Sequence, residues 1–347
     1  MTVGAVEQLL PGVAGAGDGR YLGLPDSHEP ADRDELGGGG DGLRAAVARS
    51  PLQLFWRRFR SDRVAVASLA FVLALIVVAI AAPLVVSLLG LPGPTVQNPN
   101  LTNVFGSPLG PSAAHPFGVD PLGQDVASRV IYGARVSLIV GIGGTAIAAI
   151  LGTAVGLLAG YYRGWADTLL SRLVDLVLAI PVLMLGLGLG AACAVRGCLG
   201  GHIQSGLGVI LFLIVLVNWT YIARIVRGNV LSLREQEFVL AARAQGASGA
   251  RIMTREILPN LLAPILVYST LLIPQNILLE AALSYLGVGV RPPTVSWGQM
   301  LAAATPTFQT AWWYMAFPGI ALLLTVLAFN LLGDGLQDAL HPRMTRR

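Results

Sequence analysis

Glu237-Phe-Val-Leu-Ala241-Ala242-Arg-Ala-Gln-Gly246-Ala-Ser-Gly-Ala-Arg-Ile-Met-Thr-Arg-Glu-Ile-Leu258-Pro259-Asn260 is a hydrophilic stretch set between two long apolar runs. Its paired alanines leave a flat helix face. Gly246, four residues after Ala242, allows a tight turn, and Pro259 can start the next helix, where its missing N–H costs little. The stretch therefore reads as a short helix, a turn and the beginning of a second helix, outside the apolar phase.

The flanking runs define that phase. Of 347 residues, 54% are hydrophobic and only 12% charged, whereas soluble domains are about a quarter charged. Runs long enough to cross a hydrocarbon core of roughly 30 Å recur at Val64–Leu89, Ser137–Gly160, Leu173–Ala194, Leu207–Val226, Leu261–Leu286 and Trp312–Leu332. The last two contain prolines, which membrane helices tolerate when neighbours re-satisfy the backbone. The fold class expected is an all-α integral membrane protein with six transmembrane helices.

All 23 basic residues are arginine; the sequence has no lysine. A P-loop needs its lysine against the β/γ-phosphates, so an ATPase site of that kind is excluded here, as is a Schiff base. Energy for any uphill process must come from a partner chain or an ion gradient. With a cytoplasmic N-terminus, one side carries Arg57, Arg58, Arg60, Arg63, Arg163, Arg172, Arg224 through Arg255, Arg343, Arg346 and Arg347. The other carries Arg129, Arg135, Arg196 and Arg291. The positive-inside rule then sets both termini and the Glu237–Asn260 stretch in the cytoplasm. Cys193 and Cys198 fall at the short external loop Val195–Ser205. A disulfide there and two unpaired thiols are both open readings.

Residues 1–50, rich in Gly, Asp, Pro and Glu, lack a sustained apolar face and are expected to be a disordered cytoplasmic tail. They show no basic n-region followed by an apolar h-region, so the first span is expected to act as an uncleaved signal anchor. Residues 51–63, with Phe55-Trp56-Arg57-Arg58-Phe59-Arg60, read as an amphipathic interfacial helix, aromatics at headgroup depth and arginines reaching toward anionic lipid. Residues 64–335 are expected to form the six-helix transmembrane domain, with the hydrophilic loop at about 234–260, and 336–347 a cytoplasmic tail.

Four ordered segments carry a family resemblance. The Glu237–Asn260 stretch resembles the "EAA" loop of binding-protein-dependent ABC transporter permeases. His115-Pro-Phe-Gly118-Val-Asp120-Pro-Leu-Gly123-Gln-Asp125-Val-Ala-Ser-Arg129-Val-Ile-Tyr132-Gly133-Ala-Arg135-Val-Ser137-Leu resembles the segment before the second span of dipeptide, oligopeptide and nickel permeases. An arginine is more usual there at the position of Gln124. Glu280-Ala-Ala-Leu-Ser284-Tyr-Leu-Gly287-Val-Gly289-Val-Arg-Pro292-Pro293-Thr-Val-Ser-Trp297-Gly298-Gln-Met-Leu and Gly333-Asp334-Gly335-Leu-Gln-Asp338-Ala-Leu-His-Pro342-Arg343 complete the set. From about residue 50 onward the chain resembles the second permease subunit of a peptide-type importer.

The resemblance implies a type I ABC importer permease fold in a bacterial cytoplasmic (inner) membrane. It also implies a sister permease, two ATP-binding subunits that hold ATP and Mg²⁺, and an extracytoplasmic binding protein. The substrate implied is a di- or oligopeptide, with a nickel chelate or another small solute as the alternative. Coupling to the ATPase would fall to Glu237, Ala241, Ala242, Arg243, Gly246, Arg251 and Pro259. Two departures stand in that loop. Leu240 occupies the first position of the signature, with Glu237 one turn earlier, and Glu256 occupies the place of an isoleucine that follows as Ile257.

Polar residues inside spans are costly, on the order of 2.5–3.5 kcal/mol for a charge on insertion scales. Asn276, Glu280 and Ser284 recur at i, i+4 and i+8 of the fifth span, with Gln275 beside them and Asn218 on the fourth. Two readings are open: a stripe lining the translocation pathway, or a bundle contact in which Glu280 pairs with a neighbouring span. Asp175 reads as a partner for Arg172 or Arg224. Gly152, Gly156 and Gly160 line one helix face for close packing. Gly141-Ile-Gly143-Gly-Thr-Ala146 mimics a dinucleotide fingerprint but lacks the preceding strand. The four histidines, His28, His115, His202 and His341, have no metal-ligand spacing, and no catalytic cluster emerges. No nucleic-acid partner is expected. The rival from another class, an ion-coupled secondary transporter, commonly carries inverted repeats, which the sequence does not display.

Overall fold

The structure, a computed structural model, describes residues 51–102, 107–194, 197, 203 and 206–340. The tail expected over residues 1–50 lies outside the described residues. Helix α1 (Pro51–Ser61) is amphipathic: Phe59 is buried and Phe55 half-buried, while Arg57, Arg58 and Arg60 are exposed. Asp62 then accepts from the backbone N–H groups of Val64 and Ala65, capping α2 (Arg63–Ile80), so the interfacial helix ends before 63. The first apolar run does not continue as one helix. It breaks at Ala81, and Pro83 lies in the first turn of α3 (Ala82–Leu88), where a missing N–H is harmless.

The second span starts earlier than its hydropathy suggests. Asp125 accepts from the Ser128 N–H at 2.7 Å and starts α4 (Val126–Leu138). That helix passes through a π-turn, Ile139–Gly143, into α5 (Gly144–Tyr162), giving one continuous helix over Val126–Tyr162. Arg129 and Arg135 therefore lie on its first turns rather than in a loop.

The third run is a bent pair. Helix α6 (Gly164–Leu178) and α7 (Val182–Ala192) meet at 78°. Pro181 lacks an N–H and drives the preceding residue out of helical geometry, so the straight span expected over Leu173–Ala194 is corrected to two arms. Helix α8 (Leu207–Leu233) is followed by α9 (Glu237–Ala244), α10 (Gly249–Arg251), a π-turn at Ile252–Ile257, and α11 (Leu258–Tyr285). Helix α12 (Trp297–Ala304) precedes α13 (Trp312–Leu340). The tail expected from residue 336 is thus helical to Leu340, and residues 341–347 lie outside the described residues. Among the described residues five helices are long and apolar enough to cross a membrane, six with the bent pair counted as one.

The glycine stripe of α5 packs directly on α8. A Cβ at Gly152, Gly156 or Gly160 would fall within 3.0 Å of the carbonyl oxygens of Trp219, Ala223 and Arg227 respectively. Helix α11 sits between this pair and α13, while α2 packs against α13 from the other side. This arrangement sets α9 and the π-turn at one end of the bundle and the α12 segment at the other.

Candidate coupling and translocation sites

Helix α9 ends by the hydrogen bonds its sequence permits. Gly246 adopts φ +80, its N–H donates to the Arg243 carbonyl, and the Ala247 N–H reaches back to the Ala242 carbonyl at 3.1 Å. That pair of bonds is a Schellman turn, which favours glycine because only glycine enters the left-handed region freely. Val239, fully buried, joins α9 to a core with Ile252, Ile257 and Val230. Glu237, Phe238, Leu240 and Ala241 point away from that core, while Arg243, one turn after Val239, turns toward the end of α5; all five are exposed. Ala242 is half-buried. A Cβ at Gly246 would meet nothing within 4 Å.

The base of the loop is tied to the end of α5. Arg234 donates to the carbonyls of Gly160 and Tyr161, the latter at 2.6 Å, neutralising the carbonyl end of that helix. Arg163 pairs with Glu235 at 2.7 Å, and the Arg243 guanidinium lies over the Tyr161 ring at 5.9 Å. Arg251 is exposed, and its N–H faces the Ser248 hydroxyl. Pro259 lies in the first turn of α11 (Leu258–Tyr285), as the sequence reading has it. It falls within a continuous helix over Gly249–Tyr285, and the π-turn at Ile252–Ile257 absorbs the helical bond its nitrogen cannot make.

The polar stripe of α11 is divided. Asn218 on α8 donates to the Asn276 side-chain carbonyl, Asn276 donates to the Thr145 hydroxyl at 2.8 Å, and Thr145 donates to the Gly141 carbonyl at 2.6 Å. This chain links three spans. Beside it opens a cleft of about 250 Å³ lined by Asn218, Tyr221, Tyr268, Gln275 and Asn276. Gln275 and Tyr221 are exposed on its rim. Glu280 and Ser284 belong to a different, sealed cluster. Glu280 is wholly buried and receives hydroxyls from Ser137 on α4 at 3.2 Å, Ser284 at 2.7 Å and Ser296. The Ser284 oxygen also accepts from the Val290 N–H. Of the five residues expected along the pathway, three line the cleft and two do not.

Sequence reasoning missed Tyr221 and Tyr268. Their signal is spacing: Tyr221 lies three residues after Asn218, and Tyr268 one turn before Leu272 and two before Gln275, on the same helix face. It also missed the ion pair between Asp167 and Arg227 of α6 and α8, which sits beside an Asp175–Arg224 pair at 2.8 Å. Of the two partners expected for Asp175, the structure gives it Arg224.

At the far end, the His115–Asp125 segment is a docked loop leading into α4. His115 Nδ1 lies 2.8 Å from Asp125, Asp120 faces Arg129 at 3.4 Å, and Trp297 and Trp313 donate to the carbonyls of Val130 and Val119 at 3.0 Å. Burial raises the Asp120 carboxyl above its ordinary pKa, opposed by the Gln124 N–H, the Arg129 charge and the Leu122 N–H. Cys193 is buried at the end of α7. Cys198, and with it the bridge left open in the sequence, lies outside the described residues.

Residues 152–346 match the family model described as the binding-protein-dependent transport system inner membrane component. Residues 50–104 match the N-terminal transmembrane domain of oligopeptide transport permease C. The chain is 41% identical over 320 residues to the dipeptide transport system permease protein DppC of Alkalihalophilus pseudofirmus, covering 92% of this chain and 96% of that one. It is 43% identical to the glutathione transport system permease protein GsiD of Escherichia coli, covering 85% and 92%. A chain of the MetNI methionine ABC transporter, solved in inward-facing conformations, matches with a TM-score of 0.50 at 20% identity, over 61% of this chain and 96% of that chain. That likeness concerns the fold, and it agrees with the type I importer permease expected from the sequence.

Proposed function

This chain belongs to the family of binding-protein-dependent transport system inner membrane components, and from that premise we propose that it is the permease subunit of an ATP-driven importer of short peptides. The observation that carries the reading is α9: a Schellman-terminated helix anchored on one side by Val239, with Phe238, Leu240 and Ala241 exposed on the other. An apolar helix face outside the spans needs a partner. An ATPase cleft supplies one, and the open space over Gly246 is where that partner would approach. Relatives named for dipeptide and glutathione transport support the substrate class.

In this reading the coupling face comprises Glu237, Ala241, Ala242, Arg243, Gly246 and Arg251, on the cytoplasmic side. ATP and Mg²⁺ are held by partner ATPase subunits, a sister permease forms the other half of the pathway, and an extracytoplasmic protein delivers the peptide. Because Arg234 and Arg163 tie the loop to the end of α5, a displacement of α9 reaches the spans through those contacts. The ATPase drives it only through different affinity for two states of the loop.

The cleft at Asn218, Tyr221, Tyr268, Gln275 and Asn276 faces the pathway. Exposed amides and phenols at span depth are unfavourable against lipid but suit the amide groups of a passing peptide. Glu280 and Ser284, sealed among hydroxyls, hold α11 to α4 and to the α12 segment.

The experiment compares proteins that co-purify in mild detergent with wild type and with Gly246→Asp. Recovery of a second permease and a P-loop ATPase with wild type, and loss of the ATPase alone in the variant, is the expected result. Recovery of the chain without either partner in both preparations would overturn the proposal.

A further inference from the structure

Helices α2 and α13 do not close on each other along their full length. Between them lies an open groove of about 390 Å³, lined by Arg63, Ala67, Phe71, Leu324, Leu327 and Leu331 among others. The helices run antiparallel here, since Gly335 of α13 lies against Ala65 and near the Asp62 carboxylate at the start of α2. The groove therefore begins at Arg63 and runs into the apolar depth of the bundle surface. From Arg63 to Phe71 is about 12 Å at roughly 1.5 Å per helical residue, close to one leaflet of a hydrocarbon core about 30 Å thick.

The mouth of the groove is basic. Arg63 opens α2, and Arg57, Arg58 and Arg60 are exposed on the adjoining α1. None of the four forms an ion pair among the described residues, whose ion pairs all lie elsewhere. Asp62 uses its carboxylate to cap α2. Asp334 and Asp338 on α13 make no ion pair with these arginines either. Arg60 is steadied over the Trp56 ring at 5.0 Å, and Phe55 and Phe59 anchor α1 to the core shared by α2 and α13. Arg63 at the mouth of an apolar groove and three further exposed arginines on the adjoining helix match a single amphiphile in charge and length.

We propose that this groove is a binding site for an anionic phospholipid of the leaflet on the coupling-loop side, its phosphate held by Arg60 and Arg63 and one acyl chain lying between α2 and α13. The site is separate from α9 and from the polar cleft, and it fixes the first span to the last at the membrane surface.

The test uses the assembled transporter in nanodiscs containing phosphatidylglycerol or phosphatidylcholine with a photoactivatable group on the acyl chain, followed by mapping of labelled peptides. Label is expected on residues 64–71 and 324–331, enriched with phosphatidylglycerol by about five-fold for each arginine engaged. Arg60→Gln with Arg63→Gln should bring the two lipids to equal labelling. Ala67→Trp, which fills the groove without altering charge, should remove the label from both helices while the transporter stays assembled by size-exclusion chromatography. Equal labelling by the two lipids in wild type would overturn the proposal, as would absence of label from residues 64–71 and 324–331.

Discussion

The Asn276 side-chain amide donates to the Thr145 hydroxyl at 2.8 Å, joining α11 to α5 within the apolar layer. Asn276 accepts from Asn218 through its carbonyl oxygen, so one side chain satisfies groups on two neighbouring spans. Interhelical hydrogen bonds in membranes average about 0.6 kcal/mol and reach roughly 1.7 kcal/mol. A double-mutant cycle with Asn276→Ala and Thr145→Ala, read by unfolding of the purified chain, should give a coupling energy of about 0.6 kcal/mol. A coupling energy of zero would show that the contact does not operate in the membrane protein.

Glu280 presents a different case, because its neighbours are hydroxyls rather than a cation. Ser137, Ser284 and Ser296 can each rotate to accept as well as donate. Glu280→Gln should therefore keep peptide uptake and ATPase stimulation near wild type. Glu280→Leu leaves three buried hydroxyls without their acceptor, at about 1–3 kcal/mol for each group left unsatisfied, and should lower both yield and Tm. Loss of uptake in Glu280→Gln at normal yield would return this carboxylate to the pathway.

The division between these two residues explains what the sequence could and could not convey. The apolar runs, the Ala-Ala-Gly turn and the packing role of Gly152, Gly156 and Gly160 follow from composition and local geometry. The stripe at i, i+4 and i+8 does not survive, because each step of four residues advances about 400° on a helix of 3.6 residues per turn. Asn276 and Ser284 thus differ by about 80°, enough to direct one toward α5 and α8 and the other toward the Ser296 segment. Hydropathy likewise carries no information on where a helix begins. Asp125, a residue type that itself signals a helix start, begins the second span at Val126 through a local cap, and Pro181 bends the third by 78°.

The two arginines at the base of the α9 loop should separate clearly. The Arg163–Glu235 pair is roughly half-exposed on both sides, so Arg163→Ala should cost less than about 1 kcal/mol. Arg234 instead serves two carbonyls at the end of α5, and charged hydrogen bonds of this kind are worth about 1.5–3 kcal/mol. Arg234→Ala should lower Tm more than Arg163→Ala. It should also reduce ATPase stimulation by peptide-loaded binding protein, since the loop loses its tie to the spans. Equal effects of the two substitutions on stability and stimulation would exclude a special role for Arg234.

The close approach of α5 and α8 provides a contrast within one helix pair. At Gly156 a Cβ would lie 2.7 Å from both the Ala223 carbonyl oxygen and the Val226 Cβ, contacts that neither backbone nor a β-branched side chain can relieve by rotation. Gly156→Ala must therefore push the helices apart and should cost about 1–3 kcal/mol, as overpacking of a close-packed core does. Gly228 faces away from this seam, is exposed, and has nothing within 4 Å of its Cβ position. Gly228→Ala should be neutral or stabilise α8 by up to about 1 kcal/mol through helix propensity. Thermal unfolding of the two variants in the same detergent checks the pair, and a larger loss at Gly228 than at Gly156 would mean that the packed face of α8 has been assigned to the wrong side.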